Sequence, residues 1–278
     1  MRLREIAYRR LLFRLFETQP HSWVVKGGAA LLLRLDPNRT SNDIDLAYVR
    51  EAGEHAVALA ALEEAAQKDL GDFFTFEIKS GRYVDQEHPL ERAFSLPVVT
   101  RIGEREFARF SIDLAVPRDD VESEWVESGT AVTGHPAVDS LPPVATLTFP
   151  AQIADKFCAI YEMHGAKQTH STRARDLADV AMIADQVDLE GNELRGRLRS
   201  EESRRLVAGT LTSRLPEQVE LSDNQAADWA ERWERATRGA PISFERAFEL
   251  TAALMNRVLQ SDVAGAKWNA ATHQWEGP

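Results

Sequence analysis

The sequence predicts an α+β protein, in which a mixed sheet with flanking helices is followed by a helical bundle. Short β-branched and alternating runs are concentrated before residue 141, whereas amphipathic helical patterns fill the chain after it. The 278 residues suffice for one large or two modest domains. We therefore predict an α/β domain over residues 1–140 and a helical domain over residues 141–278.

Strand patterns dominate the first part of the chain. One run, NDIDLAYV, alternates acidic and apolar residues, which is typical of a half-buried strand. Gly103 and Glu104 separate two strand-like runs and predict a hairpin. The N-terminal segment MRLREIAYRRLLFRLFETQ and the segment EAGEHAVALAALEEAAQKDL have helical composition. The other strand-like runs are WVVKGG, FFTFEIKSG, LPVVTRIG and EFARFSIDLAV.

The second part of the chain predicts helices separated by Gly and Pro. The segment PAQIADKFCAIYEMHG has proline at its start and glycine at its end, which matches helix start and stop chemistry. The segment STRARDLADVAMIADQ opens with Ser and Thr, which can cap a helix. Three further amphipathic segments follow, which are GNELRGRLRSEESRRLVAGTL, DNQAADWAERWERAT and SFERAFELTAALMNRVLQSD.

Composition limits the classes of partner. With 33 basic and 44 acidic residues the formal charge is −11, so any nucleic-acid contact must rest on a local basic patch or on an active site. The single cysteine, Cys158, excludes an intramolecular disulfide and fits a reducing compartment. No apolar run reaches the roughly 18 residues of a membrane span, and arginines interrupt the N-terminal segment where a secretory signal would be apolar. We expect a cytoplasmic protein without a membrane partner.

The segment KGGAALLLRLDPNRTSNDIDL, residues 26–46, carries the main functional signal. A predicted strand ends at Gly27 and Gly28, and a helix of about ten residues follows. Glycines allow the backbone to approach a ligand, and the N–H groups at a helix N-terminus suit a phosphate. A glycine pair alone is weak evidence for such a site, since it also fits an amphipathic helix followed by a solvated loop.

Three aspartates predict a metal site. Asp43 and Asp45 lie two apart on a predicted strand and face the same side, whereas Ile44 and Leu46 face the core. Neighbouring carboxylates repel unless a cation lies between them, and Mg²⁺ prefers carboxylate and phosphate oxygens. Asp113, in the strand-like run FSIDLAV, completes a three-carboxylate cluster if its strand is adjacent. The alternative is an ordinary solvent-exposed face.

The order and spacing of these motifs resemble the nucleotidyltransferase superfamily signature, a G-[GS] pair followed by D-[IV]-D. The form KGGAALLL…RTSNDIDL resembles the AbiEii/AbiGii nucleotidyltransferase-like toxins of type IV toxin–antitoxin systems. Those toxins add a helical domain with an acidic-x-lysine stretch and an R-x-[KR]-D-x-x-D stretch, which IADKFCAI and RARDLADV resemble. The likeness spans residues 24 to about 185. In a departure from the family, Asp155 directly precedes the lysine, where an upstream glutamate is commoner.

The resemblance implies a nucleotidyltransferase-like sheet and assigns roles to site residues. Lys156 would reach the triphosphate, and Asp176, with Asp179 second, would accept a hydrogen bond from the lysine or the base. Ser41 would donate to a phosphate oxygen and is a candidate phosphorylation site. The carboxylates Asp43, Asp45 and Asp113 would bind Mg²⁺ or Mn²⁺, and Asp113 is also the candidate base. The nucleotide would further contact Lys26, Gly27, Gly28 and Arg39.

Each assignment has a structural alternative. A lysine beside an apolar helix face often extends to solvent. Asp176 could lie on an exposed face or pair with Arg173 or Arg175. The arginines of the N-terminal helix and of ELRGRLRSEESRRL are candidates for an RNA backbone, but Glu201 and Glu202 dilute the second group, which fits a solvated face equally.

The predicted function is transfer of a nucleoside monophosphate from an NTP to an RNA. The resemblance implies the tRNA 3′ end as acceptor, growth arrest or abortive phage defence as outcome, and a cognate antitoxin as partner. One alternative is transfer to a small molecule or a protein hydroxyl, which the acidic charge favours weakly. Another is a non-catalytic NTP-binding regulator, against which the three carboxylates argue.

Overall fold

The computed structural model describes residues 3–35, 43–50, 54–83, 93–117, 121–127, 140–164, 169–237 and 242–277. The chain divides into two compact units, Met1–Thr148 and Phe149–Pro278. The sequence predicts a boundary at residue 140. The structure divides the chain later because the strand Val144–Leu147 pairs with the sheet of the first unit.

A mixed sheet forms the first unit. The order across the sheet is β3-β5-β6-β2-β1-β8-β7, with β4 also paired to β5. β2 is parallel to β6 and antiparallel to β1. The predicted hairpin at Gly103 is confirmed, because β5 and β6 are antiparallel and Gly103 has a left-handed φ of 57°. The strands are β1 (Trp23–Lys26), β2 (Asp43–Tyr48), β3 (Phe74–Ile78), β4 (Arg82–Tyr83), β5 (Phe94–Ile102), β6 (Arg105–Ala115), β7 (Ser123–Val126) and β8 (Val144–Leu147).

Three α-helices accompany the sheet in the described residues of this unit, which are α1 (Leu3–Thr18), α2 (Gly27–Arg34) and α3 (His55–Ala66). Helix α1 buries the apolar side chains Ile6, Leu11, Leu12, Leu15 and Phe16. The helix also buries three arginines, Arg9, Arg10 and Arg14. The sequence suggested that the arginines of this helix could contact an RNA backbone, but these three are not accessible for such a contact.

Two of the buried arginines of α1 are held by one carboxylate. Arg10 and Arg14 each contact Asp72 at 2.7 Å, so the loop before β3 is tied to the helix. Burial acts against the charge of Asp72, but hydrogen bonds from Arg14, Arg10 and the Phe74 backbone N–H outweigh it and lower the pKa of Asp72 to about 2.

Five helices dominate the described part of the second unit, α4 (Phe149–Ile160), α5 (Ala174–Gln186), α6 (Gly191–Ala208), α7 (Asp223–Thr237) and α8 (Phe244–Leu259). The unit is less purely helical than its pattern predicts. Strands β9 (Met163–His164) and β10 (Thr169–His170) pair with each other, and β11 (Leu189–Glu190), β12 (Lys267–Asn269) and β13 (Gln274–Glu276) form a small sheet. None of the helices in the described residues is long and apolar enough to span a membrane.

Candidate active site

Four polar residues form one row across the centre of the first unit's sheet. In the strand register, Lys26 lies opposite Asp45, Asp45 beside Asp113, and Asp113 opposite Ser95. Residues paired across neighbouring strands present their side chains on the same face. The sheet therefore brings Asp45 and Asp113 together, as the sequence predicted on the condition that their strands are adjacent.

The alternation of β2 explains why the aspartates face away from the core. Ile44 and Leu46 are fully buried, whereas Asp43 and Asp45 are half-buried. Successive strand residues point to opposite faces, so burying the two apolar side chains places both carboxylates on the other face. Asp43 lies beside Ser111, two residues before Asp113 on β6.

Gly27 packs directly against the side chain of Asp45. Its φ of 56° is left-handed, and a Cβ atom built there would lie 2.0 Å from Oδ2 of Asp45. Only glycine fits both the backbone conformation and the space. Gly27 is also the first residue of α2, and the next residue, Gly28, is buried. The side chain of Lys26, which precedes the helix, makes no capping hydrogen bond to it in the described residues. The backbone N–H groups of a helix start thus lie next to the aspartate row, which is an arrangement suited to phosphate.

The electrostatics of Asp113 suit a cation. Burial raises its pKa, a hydrogen bond from Ser95 acts in the opposite direction, and the charge of Asp43 raises it further. Its Oδ1 atom is buried and has no hydrogen-bond partner among the residues that the structure describes. A buried carboxylate oxygen without a hydrogen-bond partner, on the strand next to that of Asp45, fits the oxygen donors that Mg²⁺ prefers.

The carboxylates do not form a complete metal cage by themselves. Among the described residues, no three His, Cys, Asp or Glu side chains are grouped as they would be around a metal ion. Substrate phosphates commonly supply the remaining ligands of Mg²⁺, so an incomplete protein donor set is typical of such sites.

A second charged group lies within the helical unit. The Lys156 ammonium on α4 contacts Asp176 Oδ1 at 2.9 Å and Asp179 Oδ2 at 2.7 Å, both from α5. Lys156 is only 7% exposed, so it does not extend to solvent. Both carboxylates bind the lysine, and Arg173 lies 3.6 Å from the other oxygen of Asp176.

The structure does not describe every residue that the sequence predicts for the site, and one of the α6 arginines predicted to contact RNA is buried instead. Arg39 and Ser41 lie outside the described residues. On α6, Arg197 and Arg199 are exposed, but Arg205 is buried in a cluster of carboxylates. Sequence reasoning missed the pairing of Ser95 with Asp113, because strand register cannot be read from one strand alone.

The aspartate row beside the start of α2 is an arrangement that suits a nucleotidyltransferase. A family model described as nucleotidyl transferase AbiEii toxin, type IV toxin–antitoxin system, matches residues 10–250. The chain therefore belongs to the AbiEii family. As a member it is a nucleotidyl-transferring enzyme and a toxin, with an NTP as substrate and a cognate antitoxin as partner. The alternative of a non-catalytic regulator is not retained.

Solved structures support the fold. The nucleotidyltransferase toxin MenT4 from Mycobacterium tuberculosis H37Rv has a TM-score of 0.56 at 16% identity, covering 94% of this chain and 91% of that chain. A candidate nucleotidyltransferase from Helicobacter pylori has a TM-score of 0.50 at 15% identity, covering 94% and 96%. A comparison with curated proteins found no match.

Proposed function

We propose that this toxin transfers a nucleoside monophosphate from an NTP to RNA, that the 3′ end of tRNA is the acceptor, and that the reaction needs Mg²⁺. The modified tRNA would arrest growth, which would serve in phage defence. The observation that carries the proposal is the row of Lys26, Asp45 and Asp113 over the Gly27 turn. It combines a helix start suited to phosphate with a group of carboxylates suited to a divalent cation.

The proposed metal ligands are Asp43, Asp45 and Asp113. The unpartnered Oδ1 atom of Asp113, within the described part of the chain, supports this assignment. Bound Mg²⁺, or Mn²⁺ in its place, would neutralise the triphosphate and favour the ionised form of the attacking hydroxyl.

The chain's own residues would bind the nucleotide and move the proton. The acceptor oxygen attacks the α-phosphorus, the bond to the bridging oxygen breaks, and pyrophosphate leaves. Asp113 takes the proton of the acceptor hydroxyl. The N–H groups at Gly27 and Gly28, together with Lys26, hold phosphate oxygens.

The remaining roles rest on the resemblance to the toxin family. Lys156 stabilises the negative charge of the triphosphate, and Asp176 and Asp179 orient its ammonium group. Arg39 and Ser41 contribute further phosphate contacts.

A small-molecule or protein hydroxyl is the second candidate acceptor. Arg9, Arg10, Arg14 and Arg205 are buried, which removes four arginines from any basic surface of a chain with a formal charge of −11. This observation favours an acceptor that does not need an extended basic surface.

The acceptor class is tested by offering the toxin, with Mg²⁺ and each α-labelled NTP, either total tRNA or a lysate cleared of RNA by nuclease. Label in tRNA, lost when the terminal vicinal hydroxyls are oxidised by periodate, supports the proposal. Label only in protein or small molecules of the RNA-free lysate supports the second candidate instead.

A further inference from the structure

Arg205 on α6 lies at the centre of a buried charged cluster in the second unit. Its guanidinium contacts Asp155 Oδ1 at 2.6 Å, Glu162 Oε1 at 2.5 Å and Glu201 Oε1 at 2.5 Å, and it also donates to the Asp155 backbone carbonyl at 3.1 Å. Arg205 is 5% exposed. Burial acts against its charge, but the carboxylates outweigh this and raise the pKa of Arg205.

We propose that Arg205 is a positioning residue for Lys156 and acts through Asp155, the residue immediately before Lys156 on α4. The inference rests on the proposed function, in which Lys156 binds the triphosphate. In this proposal Arg205 acts on the lysine only through the neighbouring Asp155.

The geometry of α4 supports this role. Consecutive helix residues point about 100° apart, because an α-helix has about 3.6 residues per turn. Asp155 accordingly meets Arg205 on α6, while Lys156 meets Asp176 and Asp179 on α5. Asp155 and Lys156 therefore tie α4 to α6 and to α5 respectively, and together they restrict the rotation of α4 about its own axis.

Apolar packing alone would fix α4 less sharply. Ile153 and Phe157 are fully buried on this helix, but hydrophobic contact is not directional. Charge-assisted hydrogen bonds depend strongly on geometry. Arg205 holds both the main chain and the side chain of Asp155, so a shift of α4 would break two contacts at once.

The alternative is that the cluster only stabilises the fold. Removing one partner from a buried ion cluster destabilises a protein whether or not the cluster positions a functional group. A stability measurement alone cannot separate the two roles. The test therefore compares two variants that each remove one charged partner of Arg205, only one of which lies next to Lys156.

The experiment measures kcat and KM for NTP, per folded protein and well below Tm, in Asp155→Asn, Glu162→Gln and Lys156→Met. We expect kcat/KM to fall roughly 10-fold to 100-fold in Asp155→Asn, as for a small misplacement of a catalytic group, and by less than about twofold in Glu162→Gln. Glu162→Gln should lower Tm at least as much as Asp155→Asn, because the Glu162 side chain is 2% exposed and the Asp155 side chain is 41% exposed.

Equal kcat/KM values for Asp155→Asn and Glu162→Gln would overturn the inference and leave a purely structural cluster. If Asp155→Asn does not fold, Arg205→Lys takes its place, since a lysine cannot reach the carbonyl and the carboxylates together. The same fall in kcat/KM is expected, and a wild-type value would overturn the inference. A wild-type kcat/KM in Lys156→Met would instead overturn the proposed role of Lys156.

Discussion

Gly27 and Asp45 are packed so closely that a Cβ atom on Gly27 would lie 2.0 Å from Asp45 Oδ2 and 2.8 Å from its Cγ. The turn that begins α2 and the strand that carries the aspartates therefore constrain each other. The first glycine of the pair, Gly27, is explained by this contact as well as by its left-handed backbone.

Replacing Gly27 by alanine should abolish nucleotide transfer by displacing Asp45. Gly103 provides a matched control, because its φ of 57° is almost the same but, apart from its two chain neighbours, no described residue has an atom within 4 Å of a methyl group placed there. Each change should cost about 1–2 kcal/mol of folding free energy for the left-handed backbone. Activity should fall at least roughly 100-fold in Gly27→Ala only. Equal activities, measured by label transfer, would show that the contact does not matter.

Asp113→Asn should separate activity from stability. Burial and the charge of Asp43 raise the pKa of Asp113, so the ionised side chain disfavours the folded state at neutral pH. The amide should raise Tm by on the order of 2 °C, while kcat falls at least roughly 100-fold. Glu106→Gln, an exposed position on the same strand, should change neither quantity. Differential scanning calorimetry and label transfer check the two expectations, and an active Asp113→Asn enzyme would exclude Asp113 from the site.

Asp179→Asn should destabilise the helical unit more than Asp176→Asn. Asp179 is 1% exposed and Asp176 is 8% exposed, and both contact Lys156. Breaking a fully buried ion pair costs about 3–5 kcal/mol, whereas solvent and Arg173 partly compensate the change at Asp176. Urea unfolding measures both costs. The double variant Lys156→Met/Asp179→Asn should be more stable than the sum of its single changes predicts, and strict additivity would contradict a direct pair.

Asp72→Asn should remove stability that depends on pH. The pKa of Asp72 is about 2 in the folded state against an ordinary value of 3.8, so its contribution is complete above about pH 5 and is lost as pH falls through 2. We expect Asp72→Asn to lose about 1–2 kcal/mol at pH 7, a value reduced for partial solvent access. The difference from wild type should shrink between about pH 4 and pH 2. A difference that is constant with pH in chemical unfolding would contradict the ion pairs with Arg10 and Arg14.

Local patterns were sufficient to predict the elements that position the site. The alternation in NDIDLAYV predicts β2 and the shared face of Asp43 and Asp45, and the structure confirms both. The sequence could predict that Asp113 lies beside them only if its strand is a neighbour of β2. The pairing and register of β2 and β6 depend on a crossover connection that no local pattern encodes.

Charged residues were the least predictable part of the sequence. Arg14 and Arg205 occur in arginine-rich helices that resemble basic surfaces, yet each is buried against carboxylates distant in sequence. Their partners, Asp72 and Asp155, lie 58 and 50 residues away. Helical periodicity places a residue on a face but does not show which charged group that face will meet.

The most direct test of the central claim is label transfer to total tRNA from each α-labelled NTP in the presence of Mg²⁺, by the wild-type toxin and by Asp43→Asn. We predict that wild-type protein labels tRNA with at least one NTP and that Asp43→Asn, although folded, does not. Equal labelling by both proteins would contradict the role of the carboxylates. No label in tRNA with any NTP would contradict the proposed acceptor.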